Sequence, residues 1–323
     1  MKELSEAVGA SERSLFYWRA KESLPADLLA SSKLAPKIRN APPNKLSAIE
    51  RRSVIEVLHR PAWIDFSPRE LYYKLLDEEG IILASISTFY RIAHAENILT
   101  KRSKTGQSGT KLNREMPHLV ALAPNEIWSW DDSQIKSRIR PKRYYLYVII
   151  DIWSRYVVGW RLEDHEQSDH AIGMWKDALE AQCISGAGLT NHKDNGAIMT
   201  SHEMTKFVKD AQMIDSYSRA GVSDDNPFSE AFFRTIKYFR NFPEIFETLE
   251  EGRIYFKKYF SDYNDEFRHS GIQFLSPSER HFGEEAVILS TRNSIIQAFY
   301  AEMNHRYSSL PKIFEPIKEV RIN

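Results

Sequence analysis

From residue 125 onward the chain changes texture, and that change limits its fold more than any other feature. Three short runs rich in β-branched and aromatic residues, Ile127 to Ile135, Tyr144 to Asp151 and Arg155 to Arg161, follow one another across turn-sized gaps. This is the pattern of an antiparallel three-stranded meander. Behind it the period alternates: helix at 167–182, strand at 188–193, helix at 201–212, strand at 213–217 and a long helix at 227–241. Hairpin-linked strands followed by alternating strands and helices predict an α/β fold with a mixed five-stranded sheet covered on both faces. The longest apolar stretch, around Tyr144 to Trp153, is interrupted by Asp151 and too short to span a bilayer. No amino-terminal signal pattern appears, and the single Cys183 excludes an intramolecular disulfide and a cysteine-based zinc site, which suits a reducing cytosol.

The segment before this texture is helical. Residues 1–21 read as a partial helix-turn-helix, with a turn at Gly9 and a second helix carrying Arg13, Tyr17 and Arg19. Residues 22–45, with Pro25, Pro36, Pro42 and Pro43, have the composition of a linker. A compact unit at 46–98 follows: a helix from Ser47 to His59, a second opened by Ser67 and Pro68, a turn at Gly80, and a third around Ser87 to Ala95. The third helix would expose Ser87, Thr88 and Arg91 while Phe89 and Ile92 turn inward. Such an order suits a trihelical DNA reader, and equally a small bundle with no groove partner. Residues 99–120 form a basic linker in which Lys101, Arg102, Lys104, Lys111 and Arg114 have no acid between them. That run fits either a solvated connector or an arm that tracks phosphates.

The net charge of zero argues against a nucleic-acid protein until it is divided. Residues 1–120 carry +5 and the remaining 203 carry −5. A basic front can meet phosphates and an acidic back can hold cations, although two mildly different solvated surfaces would look the same.

Three acids stand where packing explains them poorly. Asp131 lies inside the first strand among Trp128, Ser129 and Trp130; Asp194 follows the fourth strand; Glu230 lies in the first turn of the helix opened by Asn226 and Pro227. Each alone has an ordinary alternative: an arginine partner, a turn before Gly196, a first-turn capping charge. Converging carboxylates would repel unless cations neutralise them, and hard oxygen ligands select magnesium or manganese. Thirty-five residues separate Asp194 from Glu230, and Lys237 lies two helical turns beyond Glu230 with Arg234 between. One helix face would thus hold a metal ligand and two cations for phosphate, leaving Phe232, Phe233, Ile236 and Phe239 for the core. His192 reads as packing beside the fourth strand, and His269 as a structural or DNA-adjacent hydrogen-bonder, since hard cations already have oxygen ligands.

These segments resemble the bacterial insertion-sequence transposases with a retroviral-integrase-like catalytic core of the Asp-Asp-35-Glu type. The matching motifs are Trp-Ser-Trp-Asp at 128–131, Tyr-Leu-Tyr-Val-Ile-Ile-Asp-Ile-Trp-Ser-Arg-Tyr-Val-Val-Gly-Trp at 145–160, His-Lys-Asp-Asn-Gly at 192–196 and Asp-Asn-Pro-Phe-Ser-Glu at 225–230. Tyr-Asn at 263–264 and Arg-His-Ser-Gly at 268–271 before Pro277 also match. The resemblance implies a ribonuclease-H-like core at 121–285 with a C-terminal extension at 286–323. It implies Asp131, Asp194 and Glu230 as ligands of two Mg2+ (or Mn2+) ions, and Lys237 as a contact to donor-end DNA. The family usually has an apolar residue where this chain has Asp132. Neighbours on a strand point to opposite faces, so only one of the two acids can join the site, and the Trp130-Asp131 match assigns Asp131.

The function so implied is a transposase that cleaves and transfers DNA strands by two-metal phosphoryl transfer. Its partners would be double-stranded DNA, as element terminal repeats and target, and further copies of itself on DNA, with no membrane. It would work in the bacterial cytoplasm, with the nucleoid when bound. A structure-selective nuclease of the same fold would lack the amino-terminal readers, and a domesticated DNA-binding protein would have lost an acid.

Overall fold

The computed structural model describes residues 45–63, 65–98, 119–139, 141–218, 226–239, 242–303, 306 and 311–322. Leu46–Asn323 forms one compact unit. The partial helix-turn-helix with Arg13 and Arg19, the proline-containing linker, and the basic run with Lys101 and Arg102 lie outside the described residues.

The first described elements are α1 (Ala48–Leu58), α2 (Pro68–Glu79) and α3 (Ile86–Ala95). Local chemistry sets their ends. Ser47 and Ser67 each form a reciprocal capping box, with Glu50 and Glu70, and Pro68 occupies the first turn of α2. Gly80 ends α2 at φ +67°, a left-handed conformation that glycine adopts without a Cβ clash. Val54, Val57, Leu58, Leu71, Leu75, Phe89 and Ile92 close a small core between the three helices.

The larger body is the predicted mixed sheet. Strands β2 (Ile127–Lys136), β3 (Arg143–Asp151) and β4 (Val157–Glu163) form an antiparallel meander; β5 (Thr190–Lys193) and β6 (Ile214–Tyr217) add in parallel, giving the order β4-β3-β2-β5-β6. Helices α4 (Ser168–Ala181) and α5 (His202–Asp210) connect β4 to β5 and β5 to β6. They bury Met174, Trp175, Ala178, Met204 and Val208 against Trp128, Trp130, Tyr147 and Ile149. The opposite face takes α6 (Pro227–Lys237) and α7 (Leu249–Glu266), whose Phe232, Phe233, Ile236, Phe256 and Phe260 cover Ile135, Leu146, Val148 and Ile150. This ribonuclease-H-like arrangement gives β2 a helix layer on each side, so alternate residues of β2 face different surroundings. Gly159 of β4 permits the close approach of α4: a Cβ there would lie 2.9 Å from that of Ala178.

Two features were not read from the sequence. A short strand β1 (Leu119–Ala121) pairs antiparallel with β7 (Val320–Ile322), so the C-terminal extension returns to the start of the core. Helices α8 (Pro277–His281) and α9 (Glu285–Glu302) follow α7, and α9 packs on α2. The helix expected over 227–241 ends at Lys237.

Candidate active site

The site begins with the alternation of β2. Asp131 pairs across the ladder with Val148, on the α6 side, and Asp132 with Tyr147, on the α4 side. The parallel register sets Ser129 opposite His192, and continued by two residues it brings Asp131 level with Asp194. Asp194 is held by Ser218, whose hydroxyl donates to its Oδ1 at 2.6 Å.

Helix α6 is tied to the same strand at both ends. Its N-cap Asn226 makes no side-chain bond to the helix; its Oδ1 instead accepts from Ser129 Oγ at 2.7 Å, and Ser229 Oγ lies 2.9 Å from the same hydroxyl. At the far end Lys237 Nζ donates to Ser133 Oγ at 2.7 Å. Ser129, Asp131 and Ser133 are alternate residues of one strand, so Glu230 lies on the helix between two anchors that flank Asp131.

Electrostatics joins the three acids. The Asp131 carboxyl is pushed up to about 7, first by burial and then by the charge of Asp194, with Asp132 and Glu230 adding, while the Asp132 N–H opposes the shift. Asp132 itself is pushed up to about 6 by burial and by Glu166, on the other face of the sheet. The acids are thus neighbours that resist carrying their charges together, and their donor set is all oxygen, which fits a hard divalent cation. Among the described residues no three His, Cys, Asp or Glu side chains stand ready, as placed, to cage an ion.

The other sequence candidates fall in three groups. Arg234 is exposed on α6, as is Lys237. On α3, Ser87 and Arg91 are exposed; Thr88 is half-buried, with its Oγ1 accepting from Arg91 Nη2 at 2.7 Å, while Phe89 and Ile92 are buried. His192 is buried with Nδ1 3.1 Å from Ser216 Oγ, and His269 Nδ1 accepts from the Gly271 N–H at 3.1 Å. Both histidines thus make local hydrogen bonds within the fold.

Several supporting residues escaped the sequence reading. Ser129 and Ser133 could have been found, since each stands two positions from Asp131 on a strand. Ser218 and Arg155 gave no such signal. Arg155 is buried at φ +68°, donates to the Ile152 carbonyl, and lies 3.9 Å over the ring of Phe228 in the first turn of α6. Burial lowers its affinity for the proton to about 10. Lys193, also buried, has its ammonium 2.8 Å from Asp215 and lies over Tyr217 at 4.8 Å.

The family described as "Integrase core domain" matches residues 121–223, and a second family of the same description matches 212–277. The transposase for insertion sequence element IS904 of Lactococcus lactis is 28% identical over 225 residues, covering 64% of this chain and 83% of that protein. Transposase InsF for insertion sequence IS3A of Escherichia coli is 29% identical over 165 residues, covering 49% of this chain and only 54% of that protein. Among solved structures, the HTLV-2 integrase catalytic core domain in complex with magnesium overlays with a TM-score of 0.37 at 20% identity, over 50% of this chain and 98% of that one. The fold itself is shown by the sheet order β4-β3-β2-β5-β6. No helix of the described residues is long and apolar enough to cross a membrane. Residues 121–277 thus match the integrase core domain, and the chain is similar to insertion-sequence transposases.

Proposed function

We propose that this chain binds the terminal repeats of a mobile element, cuts the DNA there and joins the freed strand to a target duplex. Asp131, Asp194 and Glu230 are its metal ligands. The observation that carries this reading is geometric: the register of β2 and β5 brings Asp131 level with Asp194, and the Ser129–Asn226 and Ser133–Lys237 contacts hold the helix of Glu230 over the same strand, with burial and then the charges of its neighbours pushing Asp131 up to about 7. Two magnesium or manganese ions, when bound, would activate a water or 3′-hydroxyl and stabilise the leaving oxygen. The protein's own contribution is positional. The Ser129–Asn226 and Ser133–Lys237 contacts hold Glu230 against β2, and Ser218 holds Asp194. Lys237 and Arg234 are proposed to hold phosphates of the donor end beside the acids, where charge-assisted contacts fix the scissile bond. Ser87, Thr88 and Arg91 of α3 are proposed to read the major groove, with Arg13, Arg19, Lys101 and Arg102 adding phosphate contacts. Oligomerisation on DNA and work in the bacterial cytoplasm belong to the same proposal.

The test is a strand-transfer assay with labelled ends of the element that encodes this chain. Glu230→Gln is expected to abolish cleavage and joining while end binding stays near wild type, because the basic helices carry binding. Full strand transfer by Glu230→Gln would refute the assignment, and joint loss of binding and catalysis in a folded variant would relocate the DNA contacts.

A further inference from the structure

The covalent link between α3 and β1 runs through 99–118, outside the described residues, but the helical module also meets the core through a buried joint. Its centre is Asp77 on α2. Fully buried Arg292 of α9 grips that carboxylate with two bonds, Nε at 2.9 Å and Nη2 at 2.7 Å, and donates Nη1 to the Gln273 carbonyl at 2.6 Å. Buried Arg268, at the end of α7, lies 3.5 Å from Asp77 and makes a two-pronged contact with Glu279 of α8 at 2.8 and 2.7 Å. On the neighbouring turn of α2, Lys74 pairs with Glu266 of α7. Apolar packing surrounds these ions: Tyr73 stacks on Phe274 at 4.5 Å, and Leu76 is buried with Ile272, Leu275 and Leu289.

The joint continues toward the acids. Arg280 of α8 donates Nε to the Trp153 carbonyl at 2.9 Å, and His281 Nδ1 lies 2.9 Å from Ser154 Oγ, which itself donates to fully buried Asp151 at 2.7 Å. The next residue, Arg155, rests on Phe228 at the start of α6, two positions before Glu230. No part of this path uses the outer face of α3, where Ser87, Tyr90, Arg91 and His94 remain exposed. Removing one partner of a buried, multiply bonded ion pair is strongly destabilising, so such a joint does not slide or swing.

We propose that the joint centred on Asp77 makes the reading helix and the catalytic acids one rigid body, so that the protein fixes the number of base pairs between the sequence read and the phosphate cut. This rests on the function proposed above. A reader on a free tether would tolerate changes in that spacing. A rigid one would not, because about 5 bp turns the duplex by half a helical turn and carries the phosphate to the far side.

The test uses the full chain and end duplexes in which the segment protected by α3 has first been mapped by footprinting. With about 5 bp inserted between that segment and the end, cutting at the end is expected to fall at least about tenfold relative to native spacing. A smaller fall overturns the proposal. A second readout does not depend on cutting. Amide exchange in α2 is expected to require the same opening as β3 in the wild type, and Asp77→Asn should quicken exchange in α2 while leaving β3 slow. Independent opening of α2 in the wild type, or no change in Asp77→Asn, overturns the proposal. Failure to cut even the native end would instead count against the proposed function, and the exchange result would still decide whether the joint is rigid.

Discussion

At the scale of single residues, the site is defined by one strand position. Asp131 and Asp132 are adjacent aspartates both pushed upward by burial, yet Asp131 feels Asp194 and Glu230 while Asp132 feels Glu166. Replacing Asp131 by Asn removes one of three repelling charges. The metal-free variant is therefore expected to melt higher than wild type, by about 5 °C, and to lose the stabilisation that magnesium gives wild type. Differential scanning fluorimetry with and without Mg2+ checks both; an unchanged magnesium shift in the variant would remove Asp131 from the ligand set.

His269 gives a second test at this scale. Burial, and then the charge of Arg155, push its imidazole down to about 4. The folded state therefore binds fewer protons than the unfolded chain between pH 4 and pH 6.5. Stability rises with pH across that window and is lost as pH falls through it, by an amount on the order of 2 kcal/mol. His269→Asn keeps a side-chain acceptor for the Gly271 N–H and is expected to flatten the slope of unfolding free energy across that range. An unchanged slope in urea titrations would assign the acid sensitivity to other groups.

At the scale of elements, α6 is the part whose placement matters most. Its apolar stripe of Phe232, Phe233 and Ile236 fixes its rotation on the sheet, and that rotation presents Glu230 and Lys237 toward β2. Lys237→Ala is expected to lower strand transfer by about tenfold or more while changing end affinity only a few-fold, since it would remove the proposed phosphate contact beside the acids together with the anchor to Ser133. Single-turnover cleavage alongside filter binding separates the two effects. Equal losses in both would make Lys237 a general binding residue. The stripe was legible from the spacing of its aromatics. The anchors were not: Ser129 and Asn226 are 97 residues apart, and their contact exists only because β2 lies under the start of the helix.

At the scale of the whole molecule, the sequence divides its charge, +5 over residues 1–120 and −5 over the rest, and the function proposed above would set phosphate contacts in the first part and metal ligands in the second. Arg91 is exposed on α3. Arg91→Ala is expected to reduce the slope of log affinity against log salt by roughly one unit. Titration of end binding across salt concentrations measures this, and an unchanged slope would take Arg91 off the DNA. Local patterns in the sequence determined the helices, the meander, the capping serines and the strand-then-helix alternation, because each depends on neighbours within a few residues. They also marked the three acids, whose types and spacing are properties of the chain alone. Only tertiary structure decided which face of β2 meets α6, that Asp194 comes level with Asp131, that Ser218 and Ser133 support the site, and that Asp77 is gripped by Arg292, 215 residues away. Those relations depend on strand register and on which helices cover which face, and the choice between faces is made by burial of the apolar stripes together, a sum over residues that no local window contains.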